Sequence, residues 1–215
     1  MLFSAALLLA SCGGDEEALD APVQFASLAE LTGPWRAIPL SLDPVVRERV
    51  AAGCRRDIEL PAGTVAAVID ARGAGVVTVR MTGGGAGRCE ALEITSRGDV
   101  FGAGGGWSGN QEPVAEPPPT KLGDVEHGSV GGGNLRIQGF SVLGRAGAAI
   151  AVVEVAMADG QFVTATVENG WFSAWWPAQI PNQRLGFDPF PDVLIRAFDA
   201  SGVQLDQVQH GPLSR

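Results

Sequence analysis

The sequence predicts a mainly β protein, with an antiparallel β-sandwich-like half over 135–210 and a small α+β half over 35–101. Three observations point there. The stretch Gly170 to Pro177, GWFSAWWP, holds three of the five tryptophans and is entered through an Asn-Gly pair. The residues around it alternate in polarity with period two, as a half-buried strand requires. Turn signals recur at short intervals through the second half, with no sustained amphipathic helix between them.

Asn169-Gly170 suits a type I′ turn, which needs positive φ at both central residues. Glu168 then lies opposite Trp171, and the register pairs Val167 with Phe172, Ala165 with Ala174 and Val163 with Trp176. Those six form one apolar face. Thr164, Thr166, Glu168, Trp171, Ser173 and Trp175 form the other. The strand over 149–157 is expected in the same sheet, joined through the three-residue loop Ala158-Asp159-Gly160 with Gly160 left-handed. Val155 then faces Val163, Val153 faces Ala165, and Glu154 falls beside Thr164. A two-residue loop would instead put the Glu154 carboxylate in the core, at a high desolvation cost. Pro177, with no N–H to give, ends the tryptophan strand.

Trp171 and Trp175 stand about 13 Å apart on the otherwise polar face. Either another segment covers them, since large aromatics are mostly buried, or they form an exposed aromatic platform for a sugar or a partner protein. They are the candidate ligand-binding residues.

Earlier in the chain, Asp43 caps a helix over 44–52, Pro44 suits its first position, and Gly53 stops it just before Cys54. Strands are expected over 64–70, 76–81 and 88–95, the first two joined by the glycine-rich turn 71–75. Residues 102–134, rich in Gly and Pro, read as a loop or linker between the halves. The second half then runs through strands at 135–142, 149–157, 161–167, 171–176, 193–199 and 203–209. Asp199-Ala200-Ser201-Gly202 forms a hairpin turn.

Met1 to Ala10 is an apolar run too short to span a bilayer, and 1–11 reads as a signal peptide. Its end, Leu9-Ala10-Ser11-Cys12, resembles the lipobox of bacterial lipoproteins. That resemblance implies cleavage before Cys12, lipid attachment (palmitate among the acyl groups) at Cys12, and an extracytoplasmic place on the cell membrane. No Lys or Arg precedes Arg36, so the positive n-region is missing and translation is expected to begin further upstream. Residues 12–34, opening on Gly13-Gly14-Asp15-Glu16-Glu17, read as a disordered tether carrying the lipid anchor.

With Cys12 given to lipid, Cys54 and Cys89 remain as a pair, and an exported protein meets an oxidising compartment where disulfides persist. The α+β half would then be disulfide-linked. Two buried free thiols are the alternative. Neither cysteine has a histidine nearby or belongs to a CxxC pair, which argues against a metal site. The body of the chain, about 43–202, resembles a group of uncharacterised actinobacterial exported proteins. The residues that carry this are the two cysteines, Ile69-Asp70-Ala71-Arg72-Gly73, Gly144-Arg145-Ala146-Gly147, Asp159-Gly160, Val163 to Val167 and the run Asn169 to Pro177. The resemblance implies fold and export and assigns no activity.

A formal charge of −9 argues against nucleic acid, whose phosphates call for clustered Lys and Arg. The only histidines, His127 and His210, read as solvated surface residues, poorly placed to act as a general base. No GxSxG elbow is present. Gly83-Gly84-Gly85 and Gly131-Gly132-Gly133 lack the Lys-Ser/Thr ending of a phosphate loop. No metal, cofactor or catalytic residue is expected. The leading expectation is a non-enzymatic protein that binds an envelope protein or a glycan. A hydrolase built from carboxylates brought together by the fold is the rival.

Overall fold

The computed structural model describes residues 24–57, 60, 63–83, 86–95, 99–101, 105–108, 115–130, 138–178 and 190–211. The signal peptide, Cys12 and the first part of the tether lie outside the described residues, as do Gly131-Gly132-Gly133. The elements are α1 (Leu28–Leu31), α2 (Pro44–Asp57), β1 (Val65–Ala71), β2 (Val76–Thr82), β3 (Ala86–Ile94), β4 (Val100–Phe101), β5 (Gly105–Ser108), β6 (Leu122–Val130) and β7 (Gly139–Ala146). They continue with β8 (Val152–Met157), β9 (Phe162–Thr164), β10 (Thr166–Glu168), β11 (Trp171–Pro177), β12 (Val193–Phe198) and β13 (Gln204–His210).

The protein is mainly antiparallel β, as expected. A first sheet has the order β1-β2-β3-β4, with β5 also on β3; a second is β10-β11-β7-β6; a third is β13-β12-β8-β9. Period-2 alternation stacks them in layers. On β2, Val77, Val79 and Met81 pack with Val50 and Cys54 of α2. The opposite face of β2 meets the second sheet, where Val76 packs with Val130 and Trp175. On β11, Phe172, Ala174 and Trp176 point to the third sheet and join Val153, Val155, Val193 and Ile195 in the largest core. The order of layers is therefore α2, first sheet, second sheet, third sheet. The second and third sheets are the sandwich.

The helix runs five residues beyond Ala52, through Gly53 and Cys54 to Asp57. A helical glycine costs only about 1 kcal/mol relative to alanine, and the burial of Cys54, fully inside the core, outweighs it. Arg55 and Arg56 occupy the last turn, where cations favour the helix dipole. Cys54 is bonded to Cys89, their Cα atoms 5.8 Å apart across a separation of 35 residues. The bond ties α2 to β3. Replacing both cysteines by alanine is expected to lower the unfolding free energy by about 3–4 kcal/mol through the loop entropy restored to the unfolded chain, read from urea melts.

Three expectations need correction. The end of the tether is folded: Ser27 and Glu30 form a reciprocal capping box, and Leu31 is buried against the first-sheet core. Apolar Ala26, Leu28 and Leu31 supply the surface to bury that an acidic tether lacks. The 102–134 linker contains β5 and β6, and β6 pairs with β7 along most of its length. Pro118 and Pro119, though exposed, are tied in through their carbonyls, which accept the amides of Lys121 and Ala149.

The third correction concerns the strand before the Asn-Gly turn. Val155 faces Val163, Glu154 faces Thr164, and Val167 faces Phe172, all in the expected register. Asn169 and Gly170 have φ of 49° and 71°, and Gly160 has 83°. Yet the strand does not stay in one sheet. It belongs to the third sheet up to Thr164 and to the second from Thr166, crossing at Ala165. Val163 therefore does not reach Trp176, which pairs with Phe140.

Candidate functional site

The crossing at Ala165 leaves β11 paired with β7 on one side but without β10 on the other beyond Ser173, and a charged cluster fills that gap. Asp70 and Arg72 lie two apart at the end of β1, so they share a face, and both side chains are fully buried. Arg72 Nε donates to Asp70 Oδ2 at 2.8 Å, and its terminal nitrogens donate to the carbonyls of Ala37 and Thr164. Asp70 also accepts the Thr166 hydroxyl at 2.6 Å and the Trp175 amide. Burial pushes the Asp70 carboxyl above the usual aspartate value, and Arg72, Thr166 and Trp175 act against it. One ion pair thus joins all three sheets and the N-terminal segment. The turn after it is tight: Gly73 has φ 85°, and a Cβ there would meet the Pro34 carbonyl at 2.3 Å.

The two candidate ligand-binding tryptophans lie in the layer between the first and second sheets. Trp171 is 5% and Trp175 0% exposed, so they form no exposed platform. The first sheet is the segment that covers them. The guanidinium carbons of Arg80 and Arg145 each sit 4.8 Å from the Trp171 ring, one cation–π contact each. Glu126 lies 3.4 Å from Arg80 and Glu116 3.5 Å from Arg145. Ser173, between the two tryptophans, meets Thr78 of β2 at 3.1 Å. The polar face of the hairpin is polar because it faces these groups and not water.

The hairpin tip also closes the free edge of β1. Asn169 Nδ2 donates to the Ala67 carbonyl at 2.9 Å, and Glu168 accepts the Ile69 amide at 3.4 Å. Glu168 is held by a bidentate pair with Arg47 of α2, at 2.7 and 2.8 Å. Beside this contact a groove of about 310 Å³ runs between α2 and β1, with Arg47, Glu48 and Arg55 above Val65 and Ala66.

A larger groove of about 450 Å³ lies against the third sheet. Trp35, Phe140, Met157 and Trp176 line it, with Asp159 and Gln161 as its polar members. Its lining, mostly apolar with a few polar groups, is the usual composition of a small-ligand site. Trp35 carries no local signal for this groove, because it stands alone in the sequence, far from the tryptophan run.

Compared with family profiles, curated proteins and solved structures, the chain finds no match. Among the described residues no group of three or more His, Cys, Asp or Glu could hold a metal ion. No helix among them is long and apolar enough to cross a membrane.

Proposed function

We propose that this chain is exported, lipidated at Cys12 and held at the outer side of the cell membrane, where its folded part serves as a non-enzymatic interaction module. The supporting observation is the Cys54–Cys89 bond. Intramolecular disulfides of this kind persist where the surroundings are oxidising, and the lipobox-like Leu9-Ala10-Ser11-Cys12 supplies both the route there and the anchor. The interior chemistry fits a module of this sort: Asp70, Arg72 and Arg145 are directed at other parts of the same chain. The partner is an envelope protein or a glycan, and the aromatic groove at Trp35 and Trp176 is the surface offered to it.

The anchor is tested by growth with labelled palmitate. The wild-type chain should take up label and fractionate with membranes, and Cys12→Ala should abolish both. Label retained in that variant would overturn the anchor.

A further inference from the structure

The third sheet packs on the second through one face. Val153, Val155, Val193, Ile195 and Ala197 point inward and belong to the sandwich core. The outer face joins no apolar cluster among the described residues, and on it Phe162 is 57% and Val152 37% exposed. The strand register orders this face in rows. Leu194 of β12, Ala156 of β8 and Phe162 of β9 make one apolar row, with Gln209 of β13 at its end. Phe198 and Val152 make a second apolar row. Between them runs a polar row of Gln207, Arg196, Glu154 and Thr164.

Arg196 and Glu154 stand directly opposite in register, yet among the described residues neither side chain makes a hydrogen bond or an ion pair. Each carries a charge with room for a partner from outside. The three rows are together neutral in a chain of net charge −9, so a second acidic chain can approach them without local repulsion. Asp159 and Asp199, in the turns at either end, accept amides of their own turns. We propose that the outer face of the third sheet is a self-association surface, on which a second copy of this chain packs face to face.

The rows are complementary to themselves. A two-fold axis along the strands, midway between β8 and β12, sets Arg196 of each copy over Glu154 of the other. The same axis lays apolar row on apolar row. Leu194 then meets the smaller Ala156 of the other copy, Phe198 meets Val152, Thr164 meets Gln207, and Phe162 covers the stem of Gln209. Such a contact uses the same patch on both molecules, so it closes as a dimer and goes no further. Four strands about 4.8 Å apart and six residues of about 3.3 Å each give a footprint of roughly 400 Å² per copy. A stable complex uses about 800 Å² per partner, so this dimer is weak and reversible.

The test is sedimentation equilibrium of the full chain from about 10 μM to about 1 mM, the range in which weak complexes of this size form. The wild type should pass from monomer to dimer. Arg196→Glu sets like charges against Glu154 of the other copy, and Glu154→Arg sets them against Arg196. Each variant alone should raise the dissociation constant by about tenfold or more. Mixed in equal amounts, the two should regain the dimer, because an all-acidic row then meets an all-basic one. A wild type that stays monomeric, either variant dimerising like the wild type, or a mixture that stays monomeric would overturn the proposal. Should a variant fail to fold, hydroxyl-radical labelling of the wild type decides. Labelling of Phe162 and Leu194 should fall as concentration rises, with that of the exposed Val45 on α2 constant; unchanged labelling of the first two refutes the contact.

Discussion

Arg72→Met is expected to lower the unfolding free energy by about 3–5 kcal/mol, the usual cost of removing one partner from a buried ion pair. Methionine keeps most of the stem volume, so the loss reports charge and hydrogen bonds rather than a cavity. Three acceptors lose their donor: the Asp70 carboxylate and the carbonyls of Ala37 and Thr164. The sign of the pH dependence is fixed as well. Without Arg72, burial raises the folded Asp70 value further above that of the unfolded chain, so the folded variant binds the extra proton. Its deficit relative to wild type should be smaller at pH 5 than at pH 7. Adding Asp70→Leu should not restore full stability, because the Trp175 amide and the two carbonyls remain without partners. Full recovery in urea melts of the double variant would show that the pair is a charge pair only, and not the hub of the junction.

Trp175→Ala should cost about 3–5 kcal/mol, in the range for removing a large buried aromatic. The side chain is 0% exposed, packs with Val76 and Val130, and meets Trp35 edge-on with ring centroids 6.3 Å apart. Its indole Nε1 is buried with no hydrogen-bond partner, so the N–H adds a desolvation penalty without return. Trp175→Phe should therefore cost much less than the alanine change, because it keeps an aromatic ring and removes the orphan donor. Equal losses for the two variants would mean that indole volume alone sets the stability of this layer.

The local register was legible because each turn carries its own chemistry. Asn169-Gly170 and Asp159-Gly160 fix loop lengths, and from those follow Val155 opposite Val163 and Val167 opposite Phe172. The crossing at Ala165 was not legible, since Val163, Ala165 and Val167 alternate in the same way whether a strand stays in one sheet or passes between two. The polar face was sorted correctly, and of the two surroundings open to its tryptophans, cover by another segment is the one found. Alternation shows which residues share a side, and only the partner layer tells whether that side meets water. Asp70 and Arg72, at i and i+2 on a strand, were a readable signal for a same-face ion pair. The contact of His127 with His210, their ring nitrogens 2.7 Å apart, left none, because neither residue has a neighbour in sequence that hints at the other. Gly53 misled the helix boundary through a propensity that core packing overrides.

The second sheet has no face of its own to show to solvent: one side lies on the first sheet and the other on the third. On a chain made from its N-terminus, β1 and β2 emerge long before β11. Until Trp171 to Trp176 arrive, Val68 and Val76 lack the aromatic part of their cover, and Arg72 waits for the carbonyl of Thr164. The early part of the molecule must therefore remain uncommitted, and kept from sticking to its neighbours, until nearly the whole polypeptide has been delivered.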